Sequence, residues 1–134
     1  MTDILGYFKD VNAQKQIDRW VKKLKNKKVV LYGAGEYFKI LSENYDISGL
    51  NIIGICDKKF ETAKNSNFTK YEALAPEELT DYDLDAILVV LLDDSSLLDY
   101  LEYELLINTK NEDKLVASLI EPTFWYAIRV LLGK

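Results

Sequence analysis

The stretch Val29-Val30-Leu31-Tyr32-Gly33-Ala34-Gly35-Glu36-Tyr37-Phe38 decides the fold. Its first four residues are β-branched and apolar, the composition of a short buried strand. Two glycines then bracket Ala34, and Phe38, Ile40, Leu41 and Tyr45 follow at helical spacing. A Gly-x-Gly turn gains chemical meaning when it lies between a strand and a helix. The first glycine permits a tight turn, and the second lets backbone approach a phosphate. N–H groups at the helix start then receive the negative charge.

Working outward, Ile52-Ile53-Gly54-Ile55-Cys56 is a second apolar strand that ends at Asp57. In dinucleotide folds an acid about 20 residues past the glycines accepts hydrogen bonds from a ribose. Gly33, Ala34, Gly35, Glu36 and Tyr37 are therefore read as the phosphate end of a binding site, and Asp57 as its ribose contact. The third small-residue position of the pattern holds Phe38. That ring is expected to push the helix away from the sheet or to turn into the cleft.

The remaining chain alternates in the same way. Ile4, Leu5, Phe8 and Val11 predict a helix that Thr2 or Asp3 can cap. Ile17, Trp20, Val21 and Leu24 resume the helical spacing after a polar break near Asn12. Lys58 to Ser66 is polar and reads as a loop, with Phe68–Tyr71 as a short strand. Ala75-Pro76-Glu77-Glu78-Leu79 has proline and acids suited to a first helical turn. Ala86–Leu92 is the strongest strand, a helix from Ser95 runs to about Ile107, and Leu115–Ile120 is a last strand. Pro122–Leu132 is a terminal helix closed by Gly133. Short apolar strands alternating with helices predict an α/β domain with a doubly wound parallel sheet of about five strands. One domain spans 1–134: an N-terminal helical segment to residue 26, an α/β core from 27 to 120, and an apolar helix from 121.

The run Val29–Phe38, then Ile52–Asp57, Ala75–Leu79 and Asp85–Leu92, resembles small Rossmann-like domains of bacterial surface-polysaccharide biosynthesis. Such domains occur at the N-terminus of nucleotide-sugar acetyltransferases or attached to sugar-modifying enzymes and methyltransferases. The resemblance covers roughly residues 26–120. It implies a nucleotide or nucleotide-sugar ligand, NAD(P) included, at the carboxyl edge of the sheet. It also implies that the Leu92–Ser95 turn, with Asp93 and Ser95, contributes to that site.

Composition narrows the chemistry. The 134 residues include no histidine, which excludes serine–histidine triads and histidine-ligated zinc. One cysteine, Cys56, excludes an internal disulfide and paired-cysteine metal sites. Next to Asp57 its thiol is expected to be unreactive core. Asp93 and Asp94 could hold Mg²⁺, but capping the following helix is the simpler role. Enzymatic activity by this chain alone is not expected; a binding module is, with a ligand-free interaction domain as the alternative.

Charge and hydropathy address partners. The net charge is −5, with a basic cluster at Lys22, Lys23, Lys25, Lys27 and Lys28. That cluster reads as the solvated end of a helix, where cations are favoured, so no nucleic-acid partner is expected. The acidic start Met1-Thr2-Asp3 predicts no signal peptide, and the apolar runs fall short of the roughly 20 residues that span a bilayer. A cytoplasmic location is expected. The terminal helix places Phe124, Trp125 and Ile128 among apolar neighbours on nearly all sides. Such a helix must be covered, by the N-terminal helices with Trp20 and Phe8, by a partner enzyme, or by a second copy in a homodimer.

Overall fold

The computed structural model describes residues 3–62, 71–92, 94–123, 128 and 130–133. Asp3 opens α1 (Ile4–Asp10), its carboxylate accepting from the Gly6 N–H at 2.9 Å. Asn12, left-handed at φ 58°, ends that helix and starts α2 (Ala13–Lys23). The polar break thus becomes a corner between two helices. Five strands follow: β1 (Val29–Tyr32), β2 (Ile52–Cys56), β3 (Glu72–Leu74), β4 (Ala86–Val89) and β5 (Leu115–Ser118). Between them lie α3 (Glu36–Asn44), 3-10 turns at Lys58–Glu61 and Pro76–Thr80, and α4 (Ser95–Tyr100), which runs directly into a π-type turn at Leu101–Leu105.

All four strand pairings are parallel, and the spatial order is β3-β2-β1-β4-β5. The chain is therefore an α/β protein with a Rossmann-like, doubly wound five-stranded sheet, as expected. Its strand order reverses between β1 and β4, and the register brings Tyr32, Cys56 and Val89 side by side. In open α/β sheets the crevice outside such a reversal is where ligands sit.

Alternation along the strands divides the interior in two. Val29 and Leu31 of β1, with Ala86, Leu88 and Val90, pack with Phe8, Ile17, Tyr37, Phe38 and Leu41. Val30 and Tyr32, with Ile87 and Val89, face the other way into Cys56, Leu74, Leu79, Leu84, Leu101 and Leu106. Successive strand side chains point to opposite faces, so a strand apolar at every position needs cover on both sides. The 0 % exposure of Val29, Val30 and Leu31 meets that need. Helices α1, α2 and α3 contribute to the first compartment, and the turn at 76–80 and the π-type turn to the second.

Several boundaries differ from expectation. The short strand lies at Glu72–Leu74 rather than Phe68–Tyr71, whose residues 68–70 are outside the described set; Ala73 and Leu74 are what pair with Ile55 and Cys56. Lys58–Ser66 begins not as an open loop but as a 3-10 turn on Asp57, whose carboxylate accepts from the Lys59 N–H. β4 stops at Val89, short of Leu92. Phe38 does not turn into the cleft: at 5 % exposure it lies in the compartment with Tyr37, Phe8 and Leu41. Phe8 meets Tyr37 and Tyr45 edge-on, at 4.9 and 5.8 Å between centroids, so α1 supplies apolar cover for this aromatic face.

Asn111, invisible as a core residue in the hydrophobic pattern, is 1 % exposed. Its amide donates to the carbonyls of Leu79 at 2.6 Å and Tyr82 at 2.9 Å. It thereby fixes the turn at 76–80 to the approach to β5. Replacing Asn111 by Ala leaves those carbonyls short of a donor and should cost about 2 kcal/mol, read as a lower denaturant midpoint at unchanged slope. Gly33 has φ 126°, and a Cβ there would lie 2.6 Å from the Val90 carbonyl oxygen. Gly33→Ala should therefore cost at least ~2 kcal/mol. Gly35→Ala, whose Cβ would meet nothing within 4 Å, should cost under about 1 kcal/mol in the same measurement.

Candidate functional site

At the carboxyl end of β1, Gly33 turns the chain between its two neighbours. Its N–H donates to the Cys56 carbonyl at 2.8 Å, continuing the pairing with β2, while Val90 donates to the Tyr32 carbonyl at 2.8 Å on the β4 side. Gly35 then occupies the N-cap of α3 in extended backbone at φ −108°, without a side chain to cap the helix. Glu36 is exposed in the first turn, where a carboxylate is favoured by the helix dipole. The space beside Gly35 is open. Gly33, Ala34, Gly35 and Glu36 thus form the strand–turn–helix corner that the glycine spacing predicts, at the point where strand order reverses.

Tyr37 is held elsewhere. It is 5 % exposed and packed on Phe8, and burial, with Tyr7 and Asp94 nearby, pushes its hydroxyl well above the ordinary phenol range. Its ring is part of the core. Tyr32 is likewise buried at the strand end, its hydroxyl pushed up first by burial and then by Cys56, Asp57, Tyr100 and Glu61. Burial raises the Cys56 thiol far above its normal range, with Asp57 adding to the effect. A thiol held protonated is a poor nucleophile.

Asp57 does come to the glycine turn, in an arrangement the spacing alone does not disclose. Its Oδ2 accepts from the Ala34 N–H at 2.8 Å and its Oδ1 from the Lys59 N–H at 3.0 Å. The Lys59 ammonium in turn donates to the Ala34 carbonyl at 2.5 Å. Two residues after β2 therefore grip both polar groups of Ala34. The only hint in the sequence is the two-residue separation of Asp57 from Lys59, which suits an aspartate side chain bonding the backbone two residues on.

On the β4 side, Asp93 lies outside the described residues. Asp94 stands at the N-cap of α4 yet makes no side-chain capping bond; the carboxylate accepts instead from the Ser118 hydroxyl at the end of β5. The capping role expected of one acid in this pair is thus not taken by the Asp94 side chain, which bonds the end of β5 instead. Ser95 is the first residue of α4 and exposed. Ser118, 5 % exposed, was not foreseen. Its position is legible only once the register aligns it with Val89.

The edge therefore carries Glu36, Asp57 and Asp94, with Lys59 in direct contact with the turn and with Lys58 and Glu61 in the adjoining 3-10 turn. Among the described residues no group of three or more acidic or cysteine side chains is arranged to hold a metal ion. The basic cluster lies away from this edge. Lys22 and Lys23 occupy the last turn of α2, and Lys23 sits 5.1 Å from the Trp20 ring. Trp20 itself donates to the Leu119 carbonyl at 3.0 Å. Lys22 and Lys25 border a shallow surface cavity of about 630 Å³ with Ser48, Gly49 and Leu50.

Among the described residues no helix is long and apolar enough to cross a membrane. Of the terminal segment, Phe124 and Trp125 lie outside the described residues. Val130, Leu131 and Leu132 are 59, 84 and 63 % exposed. Gly133 adopts φ 72° with its N–H on the Val130 carbonyl, the conformation in which glycine closes helices.

Comparison with curated proteins and with solved structures gives no match. The family model "C2185-like, N-terminal" matches residues 25–99, a span that holds β1, the glycine turn, α3, β2, β3, β4 and the start of α4. That is more than half of the chain, and it includes both halves of the clasp on Ala34. The chain belongs to the C2185-like N-terminal family.

Proposed function

We propose that this domain is a non-catalytic module that binds a nucleotide or nucleotide sugar at the glycine turn. The observation that carries the reading is the placement of Gly33–Gly35. An unobstructed glycine N-cap opens α3 at the reversal point of a parallel sheet. Backbone N–H groups at such a corner attract phosphate through hydrogen bonding and the helix dipole together. The similarity of Val29–Phe38 and Ile52–Asp57 to domains of bacterial surface-polysaccharide biosynthesis supports a nucleotide sugar and a role in that chemistry.

A second reading has its own observation. Val130, Leu131 and Leu132 expose apolar side chains in succession, which favours an interaction or oligomerisation module that needs no nucleotide. In that reading a homodimer or a partner enzyme covers the terminal segment.

Thermal unfolding with NAD, NADP, ADP, UDP and UDP-, GDP- and CDP-sugars tests the first reading. A ligand at 100 times its Kd stabilises the native state by about 2.7 kcal/mol, a rise in Tm of several degrees at this size. Gly35→Asp puts bulk and negative charge in the open space beside the turn. It should abolish that rise while the unliganded Tm changes little. An unchanged rise in the variant rules out the glycine turn as the site. For the second reading, light scattering should show an oligomer for the wild type and monomer mass for Leu131→Glu; equal masses rule that interface out.

A further inference from the structure

Tyr32 closes β1 immediately before the glycine turn, aligned with Cys56 of β2 and Val89 of β4. Its ring is buried in the second compartment with Leu74 and Leu101, at 7 % exposure. A tyrosine so deeply buried usually has its hydroxyl bonded to the protein. Tyr82, packed against the same compartment, follows that rule by donating to Glu72. The Tyr32 hydroxyl bonds to none of the described residues. Yet among those residues no fully buried side-chain polar atom lacks a partner, so the exposure that Tyr32 keeps lies at its oxygen. That oxygen opens beside Asp57 and Glu61, on the chain leaving β2, and Tyr100, at the end of α4.

We infer that the Tyr32 hydroxyl is the specificity-determining donor of the glycine-turn site, and that it binds an uncharged acceptor, a hydroxyl or carbonyl oxygen of the ligand's sugar or base. The inference rests on the nucleotide-binding reading and deepens it. Burial holds the phenol protonated, so it donates. The groups that act on it are Cys56, Asp57, Tyr100 and Glu61, none of them a cation. A phosphate beside those two carboxylates would be repelled, whereas a neutral oxygen would not. The phosphate therefore stays at the backbone N–H groups of the turn, and the remainder of the ligand passes over β1 to the α4 side. Tyr37 also makes no hydrogen bond among the described residues, but its place differs. It lies in the first compartment, where α1 covers it through Phe8, and its hydroxyl neighbours are Tyr7 and Asp94.

The test is calorimetric titration of the full chain, its Tyr32→Phe variant and its Tyr37→Phe variant. The probes are ADP, UDP, GDP, CDP, UDP-, GDP- and CDP-sugars, and inorganic pyrophosphate. For the nucleotide or nucleotide sugar that binds the wild type, Tyr32→Phe should weaken affinity about tenfold, the scale of one hydrogen bond lost at a buried partner. Tyr37→Phe should bind within about twofold of the wild type, and pyrophosphate should bind all three proteins alike. A loss confined to nucleotide sugars assigns the acceptor to the terminal sugar; a loss shared by the diphosphates assigns it to the nucleoside. Without ligand, Tyr32→Phe should unfold at or slightly above the wild-type temperature, because the fold loses no hydrogen bond and sheds a buried hydroxyl.

Unchanged affinity in Tyr32→Phe, or an equal loss in Tyr37→Phe, overturns the assignment. Pyrophosphate weakened by the same factor overturns the uncharged acceptor. An unliganded Tm several degrees lower in Tyr32→Phe shows a hydroxyl bonded within the fold and overturns the inference as well. Each of these failures leaves the nucleotide reading standing. If the wild type binds none of the nucleotides or nucleotide sugars, that reading falls and this inference with it, an outcome separable from the others by the wild-type titration alone.

Discussion

The central position of β1 is the constraint from which the rest of the architecture follows. It pairs in parallel with β2 on one side and β4 on the other, so neither its backbone nor either of its faces meets water. Only a short run of apolar side chains survives there, and the chain can leave it only by a turn that fits between two neighbouring strands. Gly33 makes that exit because the direction a Cβ would take is filled by the Val90 carbonyl. The position of α3, and with it the open N-cap at Gly35, is inherited from this one requirement.

Much of this was legible in the residues themselves. Val29–Tyr32 and Ile52–Cys56 are apolar at every position, which strands buried on both faces must be, and Gly33 with Gly35 marks the corner. Phe38 was legible as an anomaly but not in its outcome. Periodicity says which residues share a helix face; it does not say that α1 will arrive with Phe8 to make an aromatic pocket around that face. Long-range cover of this kind is set by tertiary packing.

The polar arrangement of the site was less legible, for a related reason. Spacing brought Asp57 to the edge correctly, yet a carboxylate's partners depend on distances of a few tenths of an ångström. Its two oxygens accept from the Ala34 and Lys59 N–H groups. Asp94 shows the same effect, since its partner Ser118 lies on a strand 24 residues further along. Asn111 is the clearest case. A polar residue in a polar stretch carries no apolar signal, and its burial follows from two carbonyls that need a donor.

The sheet has a consequence for how sequence change can accumulate. Its two apolar compartments are separated by the strand backbones, with Leu31 on one side and Val30 on the other. Side chains that share no partners perturb stability nearly additively. Substitutions beneath the N-terminal helices and substitutions beneath α4 can therefore be selected in parallel, each compartment compensating its own volume changes. The edge with the glycine turn borders both compartments through Ala34 and Tyr32. It is the place where drift on either face would be felt together, and so the part of the molecule with the least freedom to vary.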